Sequence, residues 1–392
     1  MAPQILRSSP RMDAIQAPIV AVIGDLIRQT PGTISLGQGV VHYGPPSEAV
    51  RAAGAVVGDA ATHAYQDASG QPALVAAISE KLRRDNGIDV ARGSRVMVTA
   101  GGNMAFTHAA LAITEPGDEV ILPVPFYFNH EMAVQMFGCR AVLVPTDPRY
   151  QLDVDAISAA ITPRTRAVVT VSPNNPTGAV FPEQTLRDLN ALCGERGLYH
   201  LSDEAYEYFT YGSARHVSPG SFAGAEQHTI SLYSLSKTYG MAGWRIGYVV
   251  YPERLADAMA KVQDTILICP PVISQVAATA AMVGGPGYCR QYVAGLAEVR
   301  DVVLAELRSL EPLCTLPPAD GAFYCCLRVN RAVDPMRVAE RLIREHKVAV
   351  IPGTAFGLTD GCYFRVAYGA LERATVAEGI GRLVTGLRSI LK

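Results

Sequence analysis

Short apolar segments alternate with longer amphipathic stretches in the middle of this chain, and this pattern limits the folds open to it. The apolar segments are typical of β-strands and lie at residues 95–99, 119–122, 141–144, 166–172, 198–202, 229–233 and 245–250. Several contain almost no polar residue, which indicates strands covered on both faces. The stretch 182–197 begins with proline and ends with glycine, as helices commonly do. The sequence therefore predicts an α/β fold with a mostly parallel central sheet covered by helices.

The last third of the chain has a different pattern. Apolar residues recur at helical spacing over 291–310, and a second helix is expected near 371–391, with a few strands between them. We therefore expect a large sheet domain at residues 45–287. Residues 288–392, together with the N-terminal segment 1–44, would form a smaller α+β domain.

Length, charge and cysteine content narrow the class of protein. A chain of 392 residues suits two domains, and its net charge of −2 gives no electrostatic reason to bind nucleic acid or an anionic membrane. No apolar run approaches the roughly 20 residues that span a bilayer, and the N-terminus lacks the pattern of a secretion signal. The eight cysteines have no metal-type spacing, and Cys325 and Cys326 are adjacent. This pattern favours buried thiols and a reducing cytoplasm.

Two of the predicted strands are followed by residues that suit a ligand, and ligands of open α/β sheets lie beyond the carboxyl ends of the strands. Gly101 and Gly102 follow 95–99 and precede a helical stretch. This arrangement either binds a phosphate or simply forms a turn. Tyr127 follows 119–122, and it is either a core aromatic or a flat face for a heteroaromatic ring.

Polar residues also follow the predicted strands at 166–172 and 198–202. Asn175 lies in "SPNNPTG", which is a strong turn sequence and also offers an amide N–H to a ligand. Asp203 directly follows the strand at 198–202, where an unpaired buried carboxylate would be costly. It therefore contacts water, caps a helix or pairs with a buried cation. Tyr206, three residues later, can direct its phenol to the same space.

Lys237 lies in "SLYSLSKTYGMAGWRIGY" (231–248), directly after an apolar segment. It is either an ordinary lysine at a strand end or a nucleophilic amine. Ser234, Ser236 and Arg245 are residue types that bind phosphate. A lysine that is partly desolvated beside cations has a lowered pKa, which an imine-forming amine needs. Together, these strand ends supply groups that suit pyridoxal phosphate.

The motifs "NNPTG", "DEAY" and "SLSKTYGMAGWRIG", in this order and spacing, resemble those of the class I/II aminotransferases. These are fold-type I pyridoxal-phosphate enzymes related to aspartate aminotransferase. The resemblance extends from "ISLGQGV" (34–40) to "YFRVAYG" (363–369). It implies the fold-type I architecture, pyridoxal 5'-phosphate as cofactor, and amino transfer between an L-amino acid and a 2-oxo acid.

The resemblance also implies roles for the residues that contact the cofactor ring. Lys237 would form an imine with the cofactor and later transfer a proton, and Asp203 would pair with the pyridinium nitrogen. Asn175 and Tyr206 would hydrogen-bond the phenolic oxygen of the ring, and Tyr127 would stack on its face. The residues implied around the phosphate are Gly101, Gly102, Asn103, Ser234, Ser236 and Arg245.

Three further residues are implied at the substrate and at a subunit interface. Arg365 matches the arginine that binds the substrate α-carboxylate, and Gly39 lies where the backbone approaches that carboxylate, with Asn175 as another substrate contact. Tyr65, in "HAYQDASG", matches a tyrosine that reaches the phosphate from the neighbouring subunit. The resemblance therefore implies a homodimer with shared active sites.

Some departures from the family pattern bear on the substrate. Tyr127 stands where many relatives have tryptophan, and His130 stands where a tyrosine is frequent. Members specific for dicarboxylates carry an arginine after the lysine to bind the distal carboxylate, and residues 264–275 contain none. His42 and Tyr43, near the expected substrate entrance, either hydrogen-bond a polar side chain or merely pack. We therefore expect a neutral or aromatic amino donor, or a broad range of donors.

Three other functions fit the same motifs. An aspartate aminotransferase would take its distal cation from elsewhere, and a cation such as Arg28 could bind glutamate or 2-oxoglutarate as the shared partner. A C–S lyase of this fold would use the same lysine and arginine. A non-catalytic regulator that binds pyridoxal phosphate is a third reading, but regulators of this fold carry an added DNA-binding domain. The region before "ISLGQG" is short and not basic, which disfavours that reading.

Overall fold

The computed structural model describes residues 8–392. Its α-helices are α1 (Pro10–Asp13), α2 (Ile19–Arg28), α3 (Ser47–Val56), α4 (Pro72–Lys81), α5 (Gly102–Ile113), α6 (Phe128–Met136), α7 (Val154–Ala160), α8 (Glu183–Glu195), α9 (Leu235–Thr238), α10 (Ala256–Ile266), α11 (Val272–Val283), α12 (Gly287–Arg308), α13 (Pro335–His346) and α14 (Arg373–Ile390). Its β-strands are β1 (Ile34–Ser35), β2 (Ser94–Thr99), β3 (Glu119–Val124), β4 (Arg140–Pro145), β5 (Thr165–Val171), β6 (Tyr199–Asp203), β7 (Thr229–Ser234), β8 (Gly247–Pro252), β9 (Cys314–Thr315), β10 (Tyr324–Val329), β11 (Val348–Ala349), β12 (Ile351–Pro352) and β13 (Cys362–Ala367).

Strands β2 to β8 form one sheet in the order β2-β8-β7-β6-β5-β3-β4. Neighbouring strands from β7 to β4 are parallel, and β8 runs antiparallel to both β2 and β7. The prediction of a mostly parallel sheet is therefore confirmed, with strand bounds that differ by a few residues. The predicted segment 245–250 begins too early, because Arg245 has a left-handed φ of 51° and the strand starts at Gly247.

Helices cover both faces of this sheet, because its central strands direct buried apolar residues to both sides. On one face, Leu122 and Val169 belong to the same buried cluster as Phe106 of α5. On the other face, Ile121 and Val168 pack in a cluster with α8. Each buried aliphatic side chain contributes about 1.5–3 kcal/mol relative to exposure, so this double covering fixes the strand ends that surround the site.

The last third of the chain builds a second, antiparallel sheet in the order β12-β13-β10-β9. Helices α12, α13 and α14 pack against it and share one buried cluster with it. Strand β1 pairs in parallel with β11, so residues near the N-terminus join this C-terminal part. These contacts support the proposed domains at 45–287 and at 1–44 with 288–392, whose boundaries stay a prediction.

Two sequence expectations concern the chain as a whole. Within residues 8–392, none of the helices combines the length and the apolar character needed to cross a membrane. All eight cysteines are unpaired, and every one except Cys269 is buried. Burial raises the pKa of the Cys193 thiol to about 12, so this group stays protonated and behaves as a small apolar side chain.

Candidate active site

A cavity of about 130 Å³ opens where β5, β6 and β7 end. Most of the predicted site residues meet there, although they come from separate parts of the sequence. The lining residues are Gly102, Asn103, Tyr127, Val171, Asn175, Asp203, Ala205, Tyr206, Ser234, Ser236, Lys237 and Arg245. The sheet topology explains this convergence, because parallel strands bring their carboxyl ends to one edge.

Lys237 lies in the short helix α9, directly after β7, and is partly buried. Burial lowers the pKa of its amine to about 8, and the positive charges of Arg245 and Arg365 contribute to the same shift, while Asp203 opposes it. The hydroxyl of Tyr43 donates to the Lys237 carbonyl oxygen at 2.9 Å. Tyr43 therefore supports the lysine backbone and, being buried, packs there instead of facing a substrate.

The carboxylate of Asp203, the last residue of β6, is held by two groups. Its Oδ2 lies 3.2 Å from Nε2 of His130, and its Oδ1 accepts the backbone N–H of Ala205 at 3.1 Å. The His130 ring stacks on Phe106 with 4.2 Å between centroids, and its Nδ1 has no partner among the described residues. Packing thus fixes the imidazole, and the imidazole orients the carboxylate.

The N-terminus of α5 faces Arg245 across one side of the cavity. Gly101 precedes this helix with φ of 84°, and a Cβ added there would lie 2.5 Å from Nη2 of Arg245. Ser234 accepts the backbone N–H of Ser236 at 3.2 Å, so both hydroxyl-bearing residues lie on the same turn. Free N–H groups at a helix N-terminus, hydroxyls and a guanidinium together form a site for a phosphate.

Arg365, on β13, approaches the cavity from the second sheet and is buried. Its Nη1 donates to Oδ1 of Asn175 at 2.9 Å, and its Nη2 donates to the Gly37 carbonyl at 2.7 Å. Its guanidinium carbon lies 4.8 Å from the ring centroid of Tyr324 and 5.0 Å from that of Phe356. Its Nε has no partner among residues 8–392. These contacts fix the guanidinium in place and use two of its five N–H groups, so the others remain available for a ligand.

Two phenols complete the described walls. The hydroxyl of Tyr206 lies 2.8 Å from that of Tyr324 and accepts from Nδ2 of Asn175 at 3.4 Å. Burial raises the pKa of Tyr206 well above its ordinary value, as does the adjacent Tyr324, so the phenol stays protonated and can donate. The Tyr127 hydroxyl donates to Oδ1 of Asn103 at 3.3 Å, which holds that ring at the cavity wall.

Two of the predicted residues are placed differently from the others. Gly39 faces the Tyr324 hydroxyl, which would lie 2.7 Å from an added Cβ. Tyr65 does not line the cavity, and 77% of its surface is exposed. A role for either residue at the substrate or cofactor stays a prediction.

Sequence reasoning gave no role to His130 or Tyr324. His130 lies three residues after Tyr127 at the start of α6, so helical spacing could have placed both rings on one side. Tyr324 lies in the apolar run that forms β10, where nothing in the sequence distinguishes it from core residues.

Comparisons with known proteins agree with this geometry. The family model described as aminotransferase class I and II matches residues 31–383. The aromatic aminotransferase ISS1 of Arabidopsis thaliana is 35% identical over 386 residues, which is 95% of this chain and 94% of that protein. The aspartate/prephenate aminotransferase of Thermus thermophilus is 36% identical and covers 89% of each chain.

A solved structure extends the likeness to the fold. An aromatic aminotransferase from Pyrococcus horikoshii matches with a TM-score of 0.86 and 31% identity, over 94% of this chain and 99% of that one. Residues 31–383, which the family model matches, include both sheets and every residue that lines the cavity. The chain therefore belongs to the class I and II aminotransferases, and it is a transaminase of fold type I.

Proposed function

We propose that this enzyme transfers an amino group between an L-amino acid with a neutral or aromatic side chain and a 2-oxo acid. The observation that carries the proposal is the set of cations at the cavity. Among the described residues there, these cations are Lys237, Arg245 and Arg365. The lysine is needed as the amine, Arg245 faces the phosphate site, and Arg365 suits an α-carboxylate. No cation of this set is left for a second substrate carboxylate, whose desolvation would be costly.

Pyridoxal 5'-phosphate is the cofactor that fits these residues. Because Gly101 has no Cβ, space for a phosphate remains beside Arg245, and we call this space the phosphate cradle. Lys237 presents an amine that forms no hydrogen bond with a described residue, and Asp203 presents a carboxylate for a ring nitrogen. When bound, this cofactor supplies an electron-accepting ring that stabilises negative charge at the substrate Cα.

The chain's own residues then have separate tasks. Arg365 binds the α-carboxylate and thereby orients the Cα–H bond toward Lys237. The amine of Lys237 takes that proton and returns it at the end of each half-reaction. Asp203, oriented by His130, would hold a proton on the ring nitrogen of the bound cofactor. The Tyr206 hydroxyl would donate a hydrogen bond to the ring oxygen.

Steady-state kinetics across amino donors test the substrate class. We expect kcat/KM for methionine, glutamine or phenylalanine at least equal to that for aspartate, with 2-oxoglutarate, pyruvate and oxaloacetate as acceptors. An aspartate value about a hundredfold above every neutral donor, or about 2.7 kcal/mol, would contradict the proposal. Arg28, an alternative distal cation, is exposed and pairs with Asp25. Release of pyruvate and ammonia from cysteine-like substrates would indicate a C–S lyase instead.

We further propose a homodimer in which Tyr65 completes the partner's phosphate site. Tyr65 is highly exposed, and its neighbour Gln66 donates its N–H to the Cys269 sulfur at 3.5 Å. Ile266 and Ile268, which come shortly before Cys269 in sequence, are also exposed. An exposed apolar patch of this kind favours burial against another chain.

Mixed dimers test the shared site. A Lys237→Ala chain and a Tyr65→Ala chain, each inactive alone, should regain activity in hybrids, because one of the two sites then holds both residues. The matched control pairs Lys237→Ala with Asp203→Asn, whose residues belong to one subunit, and it should regain none. Verified hybrids without recovery in the first pair would show that each subunit builds its own site.

We also propose the cytoplasm as the location of the enzyme. The eight unpaired cysteines suit a reducing compartment, where thiols persist. The remaining partners in this proposal are the small amino acid and 2-oxo acid substrates.

A further inference from the structure

A second cavity, of about 520 Å³, lies between the edge strand β4 and the four-stranded sheet. We call it the outer cleft, and its walls include Val124, Leu143, Pro145, Leu358 and Tyr363. It shares no lining residue with the cavity at Lys237. Its volume lies within the range of about 300–1,000 Å³ that is usual for small-molecule sites.

One free cation lies in this largely apolar cleft. Arg328, on β10, is exposed and makes no ion pair or side-chain hydrogen bond with any residue in the described range 8–392. Its guanidinium carbon lies 5.6 Å from the ring centroid of Tyr363, which faces it across the β10–β13 pairing. The aromatic contact orients the planar fork, and its donors remain available for a carboxylate.

Two carboxylates line the same cleft, and they differ in what they already bind. Oδ1 of Asp147 accepts the backbone N–H groups of Arg149 at 2.7 Å and Gln151 at 2.8 Å. Among residues 8–392, Asp360 accepts a hydrogen bond only from the phenol of Tyr363, three residues later, at 3.4 Å. Asp360 is therefore the carboxylate with more capacity for a cation.

We propose that the outer cleft is a second binding site for an α-amino acid with an apolar side chain. Arg328 binds the carboxylate of the ligand as a bidentate fork, and Asp360 binds its ammonium group. Leu143, Leu358 and the Tyr363 ring bury the side chain. A zwitterion satisfies both charges, whereas a simple carboxylic acid would leave Asp360 facing an anion.

Binding to the holoenzyme tests the site, with α-methyl-L-phenylalanine as the probe. This compound has no Cα hydrogen, so the Lys237 site cannot transaminate it. Equilibrium dialysis counts the total bound, and the absorbance of the cofactor reports the Lys237 site separately. We expect two molecules per subunit in the parent enzyme and one in Arg328→Gln. Arg308→Gln, which alters an exposed arginine of α12 without a described ion pair, should keep two.

A single molecule per subunit in the parent enzyme, unchanged in Arg328→Gln, would overturn the proposal. The ammonium contact has its own test, because 3-phenylpropionate lacks that group. Asp360→Asn should weaken the amino acid at the outer cleft about tenfold, or about 1.4 kcal/mol, and leave 3-phenylpropionate unchanged or bound more tightly. Equal weakening of both probes would overturn the assignment of an amino acid. Unchanged melting temperatures show that the variants fold.

Discussion

Nε2 of His130 lies 3.2 Å from a carboxylate oxygen of Asp203, which lines the cavity. The imidazole is itself held between rings, with Phe106 stacked on one face and Tyr127 in an edge contact at 5.2 Å between centroids. A carboxylate that must contact one ring nitrogen is already oriented by such a fixed partner. No free energy is then needed to reorient it during the reaction.

His130→Phe should lower kcat about tenfold, since it keeps an aromatic ring beside Phe106 but removes one hydrogen bond worth about 1–1.5 kcal/mol. Asp203→Asn should lower kcat by orders of magnitude. Single-turnover absorbance of the cofactor measures both. Because His130 acts through Asp203, the double variant should lose no more than Asp203→Asn alone. Fully additive losses would show that the two residues act independently.

Gly101→Ala should weaken binding of pyridoxal phosphate about tenfold or more, because the new methyl group collides with Arg245 in the phosphate cradle. Gly117→Ala is the matched control, since Gly117 has φ of 93° but no atom of the described residues within 4 Å of an added Cβ. Both variants should lose about 1 kcal/mol of unfolding free energy from backbone strain. Cofactor titration and urea denaturation separate the two effects. An equal loss of cofactor affinity in both variants would contradict the proposal that the phosphate binds beside Gly101 and Arg245.

The cofactor-free enzyme should react with pyridoxal phosphate faster as pH rises, with a midpoint near the pKa of Lys237, which is about 8. The neutral amine is the nucleophile, and it predominates above that pKa. An ordinary lysine, with a pKa of about 10.4, would give a rate that still rises steeply at pH 9. Stopped-flow absorbance between about pH 6 and pH 10 distinguishes the two profiles, with Lys237→Ala as the unreactive control.

Arg365→Lys should lower kcat/KM about a hundredfold for every amino donor, because an ammonium group cannot replace a bidentate fork. The loss should be uniform, since all donors share the α-carboxylate. Arg308→Lys on the surface of α12 should change nothing. If the loss were confined to one donor, Arg365 would be a side-chain contact instead.

The sheet and its strand ends could be predicted because their signals are local. Apolar runs indicate buried strands, and Asn175, Asp203 and Lys237 follow directly from where those runs end. The rings of Tyr43 and Tyr324 gave no such signal, because their contacts with Lys237 and Tyr206 depend on segments that meet only in the folded chain.

The substrate end of the site was harder to place for the same reason. Arg365 was assigned only through the family resemblance, since its strand is far in sequence from the lysine. The carbonyl that it binds belongs to Gly37, and the path of this segment is set by pairing of Leu36 with the last third of the chain. The sequence alone does not show which residues of these two distant segments pair.

The reversed direction of β8 has a consequence for how the site responds to motion. Because β8 pairs antiparallel with β7, with Gly247 opposite Ser234, the first residues of β8 reach the same edge as the last residues of β7. Lys237 and Arg245 therefore belong to one compact connection between paired strands. Arg365 is carried by the other sheet. A displacement of one sheet against the other would change the distance between Arg365 and Lys237. It would not change the position of Lys237 relative to the phosphate site. The contacts with the substrate can therefore change while the contacts with the cofactor stay the same.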